Sequence, residues 1–173
     1  MSGLIIADTG GLLKALARTP DHKPTFPEYQ TILTTATVVI VPALVLAEVD
    51  YFLRDNRAAM RKLIAEIFNP ATRYEYELPQ PSDLVRALEF DAKFKELDLG
   101  LVDGTVAALT ERRKVYRVLT TDRRDFATIR VGPRFLRPLE LWRSRADRWS
   151  ALDRPYATIR VGPRFLRPLE LLP

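Results

Sequence analysis

The chain has 173 residues, 47% of them apolar, and a formal charge of +5. That length fits one domain with a short appendage. No apolar run reaches the roughly 18 residues that span a bilayer, and no basic segment leads into an apolar signal stretch, so neither a membrane span nor export is expected. Cysteine is absent, which excludes a disulfide framework and thiolate chemistry and fits a cytoplasmic protein. The charge is uneven. Residues 127–173 hold ten arginines against four acids (+6), whereas residues 1–126 hold 17 basic and 18 acidic residues (−1). A basic arm beside an acidic core suggests a polyanionic partner met through arginine–phosphate contacts; the alternative is a solvated tail.

In chain order, residues 4–7 (Leu-Ile-Ile-Ala) read as a short buried strand. Thr9-Gly10-Gly11 opens a helix to about Arg18, and Pro20 and Pro24 punctuate a loop. A helix is expected over Phe26 to Thr35 and a β-branched strand over Val38 to Val41. Pro42 suits the first turn of a helix running to about Asp55. Further helices are expected over Arg57 to Phe68, Pro81 to about Leu97 (with Leu84, Leu88 and Asp91 along one side) and Val102 to Arg113. Strands are expected over Tyr74 to Leu78 and Arg117 to Thr120. Strands alternating with helices predict an α/β fold with a central parallel sheet between helical layers.

The C-terminal part repeats itself. Residues 127–141 (ATIRVGPRFLRPLEL) recur without change at 157–171, preceded by Phe126 and Tyr156 respectively. Solenoids need at least about three diverged copies, so two identical ones point to a duplication. The first copy is expected to supply the last strand of the sheet, Thr128 to Val131. The second is expected to be loose or partly docked, the alternatives being competition for the same sheet edge and exchange between subunits. The domain reading is therefore 1–141, with 142–173 as an extension.

Four carboxylates occupy awkward places. Asp8 ends the first apolar strand, Glu48 interrupts the run Val38 to Val49, Asp103 follows Leu101-Val102, and Asp122 ends Val118 to Thr121. In open α/β sheets, ligand sites lie beyond the carboxyl ends of strands, near a switch in strand order. If these acids meet there, their repulsion calls for a divalent cation. On a helix from Ala43, Glu48 shares a face with Leu44, Tyr51, Phe52 and Asp55; a carboxylate there must be paired or bound to a cation. The alternatives are ordinary ones. Glu48 could pair with Arg54 or Arg57, and Asp8, Asp103 and Asp122 could each cap a helix. Thr121 could orient a carboxylate or a water, or be a plain strand residue. Asp125 could reach a cation through water, or lie exposed.

Other chemistries are weakened directly. The single histidine, His22, lies in a proline-rich loop, against imidazole triads and histidine zinc sites. No G-x-S-x-G elbow is present, and Gly10-Gly11 is too little for a phosphate-cradling loop. All-oxygen ligation remains, which suits Mg²⁺ or Mn²⁺ and phosphodiester cleavage.

The segments Leu4–Gly10, Val45–Val49, Leu99–Asp103 and Val118–Phe126 together resemble the PIN-domain ribonucleases, most closely the VapC toxins of bacterial toxin–antitoxin pairs. The resemblance covers about residues 3 to 140. It implies a three-layer α/β/α fold and Mg²⁺- or Mn²⁺-dependent endoribonuclease activity on structured RNA such as tRNA or rRNA. It also implies a cognate VapB-type antitoxin over the site and a toxin homodimer. Asp8, Glu48, Asp103 and Asp122 match the family's acidic quartet, and Thr121 its accessory hydroxyl. Gly104 stands where relatives carry alanine or serine, which predicts a looser helix start. Two alternatives stay open: a blocked RNA-binding or antitoxin-binding module, and a phosphatase using Asp8 as nucleophile, although that class wants D-x-D and Gly10 stands at its second position.

Overall fold

The computed structural model describes residues 3–139. Strand β1 (Leu4–Ala7) leads into helix α1 (Thr9–Leu16) and α2 (Pro27–Thr35), whose Pro27 sits where a missing N–H costs nothing. Then come β2 (Val38–Pro42), α3 (Ala43–Phe52), α4 (Arg57–Ile67), β3 (Tyr74–Glu77) and α5 (Pro81–Lys93). A 3₁₀ turn (Lys95–Leu97) precedes α6 (Leu101–Arg113), β4 (Arg117–Leu119), α7 (Arg123–Thr128), β5 (Arg130–Val131), β6 (Arg134–Phe135) and β7 (Arg137–Pro138). Except for the last strand, every expected element forms, but the ends move. Pro42 closes β2 and stands as the N-cap of α3 rather than inside its first turn. The long helix expected to Leu97 stops at Lys93, with the 3₁₀ turn beyond it.

Five strands form a parallel sheet in the order β3-β2-β1-β4-β7, flanked by helices. The chain first winds outward from β1 through β2 to β3, then returns to lay β4 on the other side of β1. The direction of winding thus reverses between β1 and β4, which opens a crevice beyond their carboxyl ends. Ile5, Ile6, Val39, Ile40, Val41 and Val118 are fully buried, as parallel strands covered on both faces require.

The last strand differs from expectation. Asp122 caps α7, so residues 123–128 are helical, and Gly132 takes a positive φ of 56° that reverses the chain. Residues 130–135 therefore form a separate antiparallel hairpin, and Arg137–Pro138 joins the sheet instead of Thr128 to Val131. Arg137 N–H donates to Tyr116 O (2.7 Å) and Leu139 N–H to Val118 O (3.0 Å). Ile129, Val131 and Leu136 anchor this unit in the core. The second copy of the repeat lies outside the described residues.

Helices α5 and α6 pack closely because Gly104 lies against Ala87, where an added Cβ would come within 2.9 Å of the Ala87 carbonyl oxygen and 3.0 Å of its Cβ. Glycine here permits contact between helices rather than loosening a helix start. The buried Asp83 accepts from Gln80 N–H (2.8 Å) at the head of α5 and from Arg112 Nε (3.0 Å) on α6. Arg112 also reaches Glu77 (2.8 Å), tying both helices to β3. As a result α5 turns Asp83, Ala87 and Phe90 inward and leaves Leu88 and Val85 exposed, with Leu84 partly so.

Close approach also governs α1. A Cβ on Gly11 would stand 2.1 Å from the carbonyl oxygen of Leu119, a backbone atom that cannot rotate away. We expect Gly104→Ala to lower unfolding free energy by about 1–3 kcal/mol, the usual range for overpacking, and Gly11→Ala to cost more. Urea denaturation of the two variants checks the ranking; equal stabilities would contradict it.

Candidate active site

The crevice between β1 and β4 gathers acids from four elements. Asp8 follows β1, with its N–H donating to Leu119 O of β4 (3.0 Å). It is 6% exposed, and its carboxylate makes no capping bond to α1. Instead Oδ2 accepts from the buried hydroxyl of Thr120 (2.7 Å). The same Thr120 Oγ1 accepts from the N–H of Asp122 (2.9 Å), so one side chain fixes both strand-end acids.

Glu48, on α3, pairs with neither Arg54 nor Arg57. Arg57 goes to Asp50 (2.5 Å) and Arg54 lies over Tyr51. Val45, Leu46 and Val49 form the buried side of α3, while Glu48 is half-buried and accepts from Thr9 Oγ1 (2.5 Å). Asp103 is not a cap either. Helix α6 starts at Leu101, one residue earlier than expected, so Asp103 sits inside its first turn, where the helix dipole favours a carboxylate. Asp122 does cap, accepting from Asp125 N–H (3.3 Å).

Electrostatics ties the four together. Asp103 is pushed up to about 6, first by burial and then by the charges of Asp8, Glu48 and Asp122. Asp8 is also raised, again mainly by burial, against the help of Thr120 and with added repulsion from Glu48 and Asp122. Asp122 is raised by burial and by Asp125. Mutually raised acids in a cleft mark a functional-site candidate.

The accessory positions fall differently. Thr121 turns its side chain toward Gly10, where any Cβ would lie 2.2 Å from the Thr121 hydroxyl oxygen. The hydroxyls that hold carboxylates belong to Thr120 and Thr9, which sequence reasoning missed. The signal was present: Thr120 ends an apolar strand and follows the buried Leu119, a place where a polar side chain must find a partner. Asp125 is not exposed. Its side chain is 14% accessible, beside Asp122 and bonded to Arg124 Nε (3.0 Å).

An all-carboxylate donor set fits a hard divalent ion such as Mg²⁺ or Mn²⁺, and Asp8, Asp103 and Asp122, with Glu48 beside them, are the residues that could hold it. As they stand, no three His, Cys, Asp or Glu among the described residues are close enough together to hold a metal ion.

The raised groups set a pH dependence. A carboxyl whose folded pKa exceeds its unfolded value binds its proton more tightly in the fold, so its contribution to stability is present at low pH and is lost as pH rises through the folded pKa. In chelator, melting temperature should therefore fall between about pH 4 and 6 as Asp103 ionises, and fall less in Asp103→Asn. Calorimetry across that range checks it; identical slopes would contradict it.

Comparison with known proteins agrees with this layout. The PIN domain family model matches residues 5–131. Ribonuclease VapC26 of Mycobacterium tuberculosis is 28% identical over 140 residues, covering 76% of this chain and 97% of that protein. The crystal structure of Mycobacterium tuberculosis VapC20, described as a sarcin-ricin loop cleaving toxin, superposes with a TM-score of 0.59 at 18% identity, over 70% of this chain and 92% of that one. The match of the family model runs from β1 to β5 and takes in all four acids; the chain belongs to the PIN-domain family.

Proposed function

We propose that the chain is a VapC-type toxin, a divalent-metal-dependent endoribonuclease that cleaves structured RNA. The observation that carries the reading is the convergence of four acids at the β1/β4 switch, where Asp8, Glu48 and Asp122 add to burial in raising the pKa of Asp103. Kinship to Ribonuclease VapC26 supports the ribonuclease activity. The sarcin-ricin loop, named for VapC20, makes rRNA one candidate beside tRNA.

In this reading Asp8, Asp103 and Asp122 hold one or two Mg²⁺ or Mn²⁺ ions, with Glu48 ligating or orienting a water. Such an ion supplies charge stabilisation of the phosphoryl transition state and lowers the pKa of an attacking water. Thr120 keeps the Asp8 carboxylate and the turn at Asp122 in register. Thr9 holds Glu48 toward the crevice. Asp125 supports Asp122 from α7. Arg123 and the exposed Arg124, on α7, stand where they can steer an RNA backbone.

A cognate VapB-type antitoxin would cover the carboxylates, and the substrate places the activity in the cytoplasm. No helix among the described residues is long and apolar enough to cross a membrane. Exposed apolar side chains on α4 (Ile64), just after it (Phe68) and on α5 (Val85, Leu88) supply surface for the homodimer. The phosphatase alternative is disfavoured, because the Thr121 side chain fills the space where a second carboxylate at position 10 would project.

Purified chain with Mn²⁺ should cut total bacterial RNA into discrete fragments. Chelator should abolish cutting, and Asp8→Asn should reduce the rate by about a hundredfold or more, the scale of losing metal-centred charge stabilisation. RNA that binds at saturating Mn²⁺ but stays intact would overturn the nuclease reading in favour of a binding module.

A further inference from the structure

We propose that the β5–β6 hairpin is a second RNA-contacting surface, in which Arg130 and Arg134 meet phosphates and Phe135 stacks on a base. The inference rests on the reading that the chain acts on RNA. It concerns the end of β4 opposite the carboxylates.

Residues 126–139 contain three arginines and no acid. Arg130, Arg134 and Arg137 are all exposed, and among the described residues none is paired with a carboxylate. Of the eleven other described arginines, five (Arg57, Arg86, Arg112, Arg113 and Arg124) form such pairs. The hairpin arginines lie instead on aromatic rings. The Arg130 guanidinium is 5.7 Å from the centroid of Phe135, and that of Arg134 is 5.2 Å from the centroid of Tyr116. A guanidinium laid on a ring is held in place while its N–H edge stays free for phosphate.

Phe135 is 56% exposed, although large apolar side chains in this unit are otherwise inside. Its strand neighbour Leu136, together with Ile129 and Val131 on the same unit, is buried to within 2%. The hairpin is therefore pinned to the core on one side and presents a fixed row of charge and ring on the other. Unpaired arginines beside an exposed aromatic are the combination that binds single-stranded nucleic acid, with charge tracking the backbone and the ring taking a base.

Position separates this surface from the crevice. Tyr116 and the Arg117–Arg137 pairing lie at the amino end of β4, and Asp122 beyond its carboxyl end. The three residues of β4 and the turn to Asp122 lie between them, at most about 16 Å of extended chain, or roughly five nucleotides at the 3.4 Å axial rise of a duplex strand. A very short RNA can reach the carboxylates without touching the hairpin, whereas a longer one can engage both.

The test uses the full chain. Binding of a labelled single-stranded RNA of about twelve nucleotides is measured in chelator across a salt series, for wild type, Arg130→Gln/Arg134→Gln, Phe135→Leu and Arg160→Gln/Arg164→Gln. The last places the same change in the repeated segment. Circular dichroism confirms that each variant folds. Arg130→Gln/Arg134→Gln should weaken binding roughly tenfold and flatten the log K against log salt slope by about 1.4, two contacts at 0.7 each. Phe135→Leu should weaken binding roughly tenfold with the slope unchanged. Cleavage of a fragment of about four nucleotides in Mn²⁺ should be the same in all. If the hairpin variants bind like wild type, or if only Arg160→Gln/Arg164→Gln loses affinity, the proposal is overturned and the face is left for an acidic protein partner. Should wild type cleave no RNA while the hairpin variants still lose binding, the nuclease reading falls and this surface stands.

Discussion

The close contact between the first turn of α1 and the backbone of β4 is the constraint on which the rest of the site depends. Gly11 lies against the Leu119 carbonyl and Gly10 against Thr121, at distances that admit no side chain. That contact, with the Asp8 N–H to Leu119 O bond, sets the carboxyl end of β1 beside that of β4. The two strands are neighbours only because the chain reverses its winding between them. A crevice at such a reversal is geometrically available in any open α/β sheet. Here it receives acids from β1, α3, α6 and the turn after β4.

Holding those acids together costs stability, and the fold offsets part of it locally. Thr120 donates to Asp8 and accepts from the backbone of Asp122, and Thr9 donates to Glu48. Asp103 gains from its place in the first turn of α6. What stays uncompensated appears as the raised pKa values of Asp8, Asp103 and Asp122. A site that disfavours its own charges is one in which a cation exchanges repulsion for attraction. The charged groups outside it behave in the opposite way. Arg112 is divided between Asp83 and Glu77, joining α5, α6 and β3 into a frame that carries Asp103.

Much of this was legible in the chain. Apolar runs of four or five residues ending in Asp8 and near Asp122 marked the central strands, because parallel strands buried on both faces lack alternation. Motif order placed Asp8, Glu48, Asp103 and Asp122 in one family. Local rules failed where tertiary contact decided the outcome. Leu84 and Leu88 look like a core stripe, but α5 turns Ala87 inward because Gly104 admits it and Asp83 is held by Arg112. Thr128 to Val131 reads as a strand by composition, yet the cap at Asp122 makes its start helical and Gly132 folds the remainder into a hairpin. Its place beside Asp122 favours Thr121 as the accessory hydroxyl, whereas the hydroxyl bonded to Asp8 is that of Thr120. Partial burial of Asp125 follows from the tight α7 turn, which no periodicity announces.

In the proposed function, Asp8, Asp103 and Asp122 make the crevice between β1 and β4 a metal centre. Anomalous diffraction from crystals soaked in Mn²⁺ would decide whether they do. Manganese density bounded by those three carboxylates, with Glu48 adjacent, is the expected result. Density elsewhere on the molecule, or none in this crevice at saturating Mn²⁺, would contradict it.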